Sequence, residues 1–243
     1  ASLEAAERVC AGEEADAGAD AEADAEVDAD VDAEADVEVH AEQVLELLTA
    51  LTEKSLLVAD GTGAPRYRML GTIKEYAGQR LAEAGETESA RHAHLAHFTA
   101  LVEAAEPHLR RAEQLEWLAV LAAEHDNIGA ALRGALTAGE AQAAMRLAAG
   151  AGTYWWLGGH RAEGFELLTA AARLPGEVTD ETRAMVYALV VLFVTDGRGG
   201  EQQAAEWIRE AYRSSRRVRR RPPMCWLAEA MERLRRQPGR AAV

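Results

Sequence analysis

The chain has 243 residues, a formal net charge of −15, 49 % hydrophobic and only 5 % aromatic residues, and two cysteines. This length admits one or two domains with real cores, and an Ala-rich, aromatic-poor composition suits close-packed helix pairs better than a sheet sandwich. Cys10 and Cys225, far apart and without His or Cys at ligand spacing, speak against a disulfide framework or a zinc site and for a reducing cytoplasm. No apolar run approaches the ~20 residues that span a bilayer.

In chain order, residues 1–12 read as a short helix with Ser2 as N-cap, Leu3, Ala6, Val9 and Cys10 on one side, and Gly12 closing it. Its acidic start lacks the apolar segment of a signal peptide. The first residue is Ala, which reads as a processed form or a piece of a longer polypeptide. Residues 13–41 are low complexity, acids alternating with Ala or Val. On one strand face the like charges would repel, with little to bury, so a solvated, disordered insert is expected. A calcium loop built on Asp28, Asp30 and Asp32 fails in detail, because Ala33 holds the sharp-turn position and Val39 the bidentate position.

Residues 42–54 predict an amphipathic helix through Val44, Leu47, Leu48 and Leu51. Leu56–Val58 reads as a strand. Gly61, Gly63 and Pro65 make a turn, and Arg66–Leu70 returns with polar–apolar alternation. Thr72 with Glu75 three residues on predicts a capping box opening a helix whose face carries Ile73, Tyr76, Ala77 and Leu81. Gly85 is placed to end it in the left-handed conformation. Helix, two-stranded wing and helix form the C-terminal half of a winged-helix domain.

Everything beyond reads as helix. Glu88–Glu106 carries Leu95, Phe98, Leu101 and Val102 as its buried stripe and stops at Pro107. Gln114–Glu124 is expected to turn Leu115, Leu118 and Leu121 or Ala122 inward. Asp126 or Asn127 caps the next helix, in which Ile128, Leu132 and Leu136 recur until Gly139. Ala141–Leu157, Arg161–Leu174, Asp180–Val194 capped by Thr179, and Glu201–Arg213 follow. Cys225–Arg236 forms one further helix within an Arg-rich tail broken by Pro222 and Pro223. In a tetratricopeptide repeat of ~34 residues, Leu147, Ala151 and Tyr154 fall on first-helix positions, Gly158 at the turn, and Leu167 and Ala170 on second-helix packing positions. The expected class is therefore mainly α: a partial winged helix with one β-hairpin followed by a tetratricopeptide-like α-hairpin array. The expected domains are 1–86 (with 13–41 as the insert), 87–213, and a weakly ordered Arg-rich tail, 214–243.

LTEKSLLVAD, RYRMLGTIKEYAGQRLAEAGE, RHAHLAHFTALVEAAEPHL and EWLAVLAAEHDNIGAALRGAL together resemble the junction between winged-helix and helical-repeat regions in actinobacterial regulators of the SARP type and related LuxR-type ATP-binding regulators, signalling ATPases of the NB-ARC class. The likeness covers residues 1–12 and 42–195, and is most specific at Lys54–Leu57 and Glu124–Asn127. It implies a winged helix packed on a nucleotide-binding core and a repeat region serving as sensor arm or oligomerisation surface. The core is expected upstream, with ATP or ADP, because this chain holds no G-x-x-x-x-G-K-[ST] loop and no cofactor is assigned to it.

Candidate chemistry is sparse. Residues 1–46 hold seventeen acids and one Arg, and residues 205–243 eleven Arg and four acids, so the two ends carry opposite fields. Glu42, Glu46 and Glu53 against Lys54 make the helix before the wing repel phosphates. The run Arg213–Arg221 has no interleaved aromatics for base stacking. His92, His94 and His97 read as a solvated, titrating face with no carboxylate or Cys to complete a metal site, and Tyr154, Trp155 and Trp156 as core at a helix end. No catalytic, cofactor or metal residue is assigned, and a non-enzymatic regulatory fragment of a transcription regulator is expected. Its partners are an upstream nucleotide-binding domain, a protein or a small effector, in the cytoplasm, with neither nucleic acid nor membrane. Two alternatives stand beside it: a free-standing interaction module with charged arms, and nucleic-acid binding through the Arg-rich tail.

Overall fold

The computed structural model describes residues 1–10, 41–60, 65–195, 197, 201–219 and 224–236. The acidic insert, the wing tip and Pro222-Pro223 lie outside the described residues, and with them the readings made there. The chain divides into two compact units, Ala1–His97 and Phe98–Val243.

The first unit holds α1 (Leu3–Cys10), α2 (Ala41–Glu53), a β-hairpin of β1 (Leu57–Asp60) and β2 (Arg66–Met69), α3 (Gly71–Glu83) and the start of α4 (Thr87–Ala105). The strands are antiparallel, with Leu57 opposite Met69 and Asp60 opposite Arg66. Ala1 extends this ladder: its carbonyl accepts from Tyr67 N–H at 2.8 Å, and its nitrogen donates to Tyr67 O at 2.9 Å. Ser2 caps α1 as expected, its Oγ 3.2 Å from Ala5 N. The core of this unit is small, with Ala5, Val44, Leu57 and Leu95 buried.

Three expectations fail here. The helix after the wing opens at Gly71 with Leu70 as N-cap and no side-chain cap. Because β2 ends at Met69, the helix begins two residues early, which leaves Thr72 inside it rather than at its mouth, and no capping box forms. Leu47 and Tyr76 are exposed, although their spacing puts them on the apolar stripes. Helical periodicity defines a face, but the neighbours in this unit cover only part of it. The end of α3 is as read: Gly85 takes φ 77°, Glu86 N–H reaches Leu81 O at 3.1 Å and Gly85 N–H reaches Ala82 O at 3.1 Å, which satisfies two orphan carbonyls.

The second unit is helical: a 3-10 turn (His108–Arg110), α5 (Gln114–Ala123), α6 (His125–Ala138), α7 (Ala141–Leu157), α8 (Arg161–Arg173), α9 (Asp180–Thr195), α10 (Glu201–Ser215) and α11 (Cys225–Arg236). α9 is its central helix, in contact with α7, α8, α10 and α11 and buried along Ala184, Val186 to Val191 and Phe193. Close approach is bought with small residues: a Cβ on Gly150 of α7 would lie 2.5 Å from Val102 Cγ2 and 3.1 Å from the Val102 backbone. Leu115 is 78 % exposed, against expectation. It lies in the first turn of α5, where Leu109 of the preceding 3-10 turn fills the interior and the Gln114 side chain donates to Leu109 O at 2.6 Å. Ala170 is exposed as well, because the buried line of α8 runs through Gly164, Leu167, Leu168 and Ala171. Among the described residues no helix is long and apolar enough to cross a membrane.

Candidate functional site

In the first unit the surface that matters is α2, the wing and α3. Ser55 follows α2 with φ 58°, a left-handed conformation that costs a non-glycine residue about 1 kcal/mol. Its reward is a closed helix end: Leu56 N–H donates to Leu51 O at 2.9 Å and Ser55 N–H to Thr52 O at 2.9 Å. The tight exit turns Leu57 into the core while Glu46, Glu53 and Lys54 stay in solvent. The exposed side also carries large apolar groups, Leu45, Leu47, Val58, Leu70 and Tyr76. Arg66 is half-buried and Arg68 exposed on β2.

In the second unit the most organised polar group lies where α6, α7 and α8 meet. His125 opens α6, with Glu124 in the cap position and no side-chain cap, so neither Asp126 nor Asn127 caps it. The Asn127 amide instead donates to Glu124 Oε2 at 2.6 Å. Tyr154 comes from the last turns of α7, His160 from the turn beyond Gly158-Gly159, and Glu163 from the first turn of α8. His125 Nδ1 is 3.1 Å from Tyr154 Oη, and His125 Nε2 is 2.9 Å from Glu163 Oε2. With the tyrosine donating and Nε2–H donating to the carboxylate, a neutral imidazole satisfies both contacts. Glu163 Oε1 accepts from Arg133 at 2.7 Å. The His160 ring stacks on that of His125 at 3.8 Å between centroids.

The surroundings act on these groups as electrostatics requires. Burial, then the charges of Glu163 and Asp126, push the Tyr154 hydroxyl up to about 12. Burial and the neighbouring His125 push His160 down, against an opposing pull from Glu163. One donor atom each from His125, His160 and Glu163 lie within 4.8 Å of one another, so these three could hold a cation. The sequence marks Tyr154 as core at a helix end and as a repeat packing position, and does not single out His125, His160 or Glu163 as a site. His125 and His160 are too far apart in sequence for any ligand spacing to join them, and the helical pair His160–Glu163 was the one local signal.

The other sequence candidates separate. His94 and His97 are half-buried rather than solvated. Trp155 is fully buried, as expected of core, and Trp156 packs edge-on against Phe193 with the Arg161 guanidinium 4.3 Å over its ring. In the C-terminal segment Arg235 and Arg236 both bind Glu232, at 2.8 and 2.7 Å, and Arg213 pairs with Glu210. Neither Cys10 nor Cys225 forms a disulfide. An open groove of about 750 Å³ between α7 and α9 is lined by Gln142, Gly176, Thr179 and Arg183.

A family model described as a winged helix-turn-helix domain matches residues 21–82. The chain is 35 % identical over 128 residues, half of its own length, to proteins of Mycobacterium bovis and of two strains of Mycobacterium tuberculosis, each named as a candidate HTH-type transcriptional regulator. It spans 14 % of the length of these relatives. No solved structure matches. A helix-turn-helix match runs against the sequence expectation that nucleic acid is no partner.

Proposed function

We propose that this chain is part of a transcriptional regulator in which a winged helix-turn-helix module is joined to a helical array. The observation that carries the reading is the overlap of the winged-helix match at residues 21–82 with the helix–hairpin–helix of α2, β1–β2 and α3. The regulator names of the relatives support it. In this reading the regulator belongs to the signalling-ATPase class and works in the cytoplasm. The winged unit and the tetratricopeptide-like array exert interdomain control on a nucleotide-binding domain elsewhere in the polypeptide, and the array binds a protein or small effector. Burial of Leu147, Ala151 and Tyr154 on α7 supports the repeat reading. Deleting the coding segment for residues 41–83 while the remaining protein persists is expected to change a limited set of transcripts, restored by the intact gene. An unchanged transcript profile would overturn the reading.

The helix-turn-helix match favours a second reading, direct contact with duplex DNA. The acidic exposed face of α2 opposes phosphates, so the contact falls to Arg66 and Arg68 on the wing. Labelled duplex titrated at about 50 and 200 mM salt tests it: binding that weakens with salt and is lost on replacing both arginines with alanine supports the wing, and no binding at either salt removes it.

A further inference from the structure

We propose that His125, His160 and Glu163 form a binding site for one divalent transition-metal ion of the zinc type, at the junction of α6, α7 and α8. This stands apart from the transcriptional reading and would hold whatever the first unit does.

The donor set is the first argument. Two imidazoles and one carboxylate are a common ligand set for zinc, whereas carboxylates alone suit calcium or magnesium. The three donor atoms already lie within 4.8 Å of one another. Two ligands come from the same local turn, His160 and Glu163 at i and i+3, and the third from a different helix, so the ion would tie α6 to α8.

The supporting contacts are the second. A metal-bound histidine ordinarily gives its other ring N–H to an oxygen, which fixes the ring and the tautomer. Tyr154 Oη, 3.1 Å from His125 Nδ1, takes that role once its hydroxyl turns from donor to acceptor, leaving Nε2 directed at Glu163 Oε2. A ligating carboxylate is in turn held by a hydrogen bond, and Arg133 holds Glu163 Oε1, leaving Oε2 for the ion. The Arg133 contact stands without the ion, and the tyrosine contact is in place but reverses its direction when the ion binds.

The change on binding is small and balanced. The contact of 2.9 Å between His125 Nε2 and Glu163 Oε2 is a hydrogen bond with one proton between two donor atoms. An ion about 2.0–2.1 Å from each takes the place of that proton; a proton sits on Nδ1 instead, donating to Tyr154 Oη, so the ring changes tautomer and stays neutral with no net release, and tetrahedral geometry widens the pair by only a few tenths of an ångström. His160 must give up its stack on His125, because parallel rings do not aim their lone pairs at one point. Rotation about its side-chain bonds is what brings a nitrogen round toward the ion. The Arg133 charge opposes the ion and Asp126 favours it. Water fills the remaining position.

The test uses the full chain without a histidine tag. Zinc is titrated against a chelator of known affinity, and the ion retained after gel filtration is counted. One ion per chain is expected, with a raised melting temperature. His160→Ala and Glu163→Gln are each expected to weaken binding tenfold or more, Tyr154→Phe to weaken it by 10- to 100-fold as loss of a supporting contact does, and His92→Ala to change nothing. Circular dichroism confirms that the variants are folded. Zinc bound with equal affinity by His160→Ala and Glu163→Gln would place it on other carboxylates and overturn the site, as would no retained zinc at about 0.1 mM free ion.

Discussion

Tyr154 Oη and His125 Nδ1 lie 3.1 Å apart, joining a fully buried tyrosine on α7 to the first residue of α6. The hydroxyl cannot turn to water, and the imidazole nitrogen is held beside it by Glu163 on the opposite edge of the ring. Tyr154→Phe removes the hydroxyl and leaves Nδ1 with its desolvation uncompensated. A loss of about 1–3 kcal/mol is expected, read from the shift in the denaturant midpoint.

Gly150→Ala puts a methyl group into the Val102 side chain and against its backbone. The backbone contact cannot be relieved by a rotamer change, so the variant is expected to lose about 1–3 kcal/mol by the same measurement. Gly78 is the converse case: it sits inside α3 with nothing within 4 Å of an added Cβ. Gly78→Ala is expected to gain about 0.5–1 kcal/mol from helix propensity alone.

Ser55→Gly relieves a left-handed residue at the end of α2 without touching the two hydrogen bonds that close the helix. Hydrogen exchange of the α2 amides is expected to slow, by an amount corresponding to about 0.5–1 kcal/mol. Unchanged exchange would show that the strain is offset in the unfolded chain.

Glu232 is buried beneath Arg235 and Arg236. The Arg235 hydrogen bond, helped by Arg236 and opposed by burial, holds its carboxyl down at about 2, against an ordinary value of 4.5. The unfolded state therefore takes up the proton first as pH falls. The stability this carboxylate contributes is complete above about 4.5 and is lost between there and about 2. Glu232→Gln is expected to flatten that acid limb in urea titrations at successive pH values.

Much of the fold was legible because it was written locally. The alternation of Arg66, Tyr67, Arg68 and Met69 gave the wing; Gly85 and Gly139 end their helices as expected, and Gly85 does so with the expected positive φ. The misreadings arise where the neighbour decides. Leu115 has a core residue's spacing, but Leu109 already occupies the interior. Thr72 and Glu75 have the spacing of a capping box, but the strand delivers the chain two residues too soon. The cluster of His125, Tyr154, His160 and Glu163 was not legible for the same reason: its members meet only when α7 brings α6 and α8 together, and no spacing along the chain encodes that. The acidic face of α2 was read correctly as charge, but charge does not say which face of a helix-turn-helix module meets its partner.

The five tryptophans of this chain, 117, 155, 156, 207 and 226, all belong to the second unit. The indole N–H groups of Trp155 and Trp207 are buried without a hydrogen-bond partner, so their fluorescence should lie toward the blue and move red when that unit opens. The first unit is optically silent in this channel. Tryptophan emission therefore follows the helical array alone, while far-ultraviolet ellipticity follows both, and any gap between the two melting curves measures how independently the winged module unfolds.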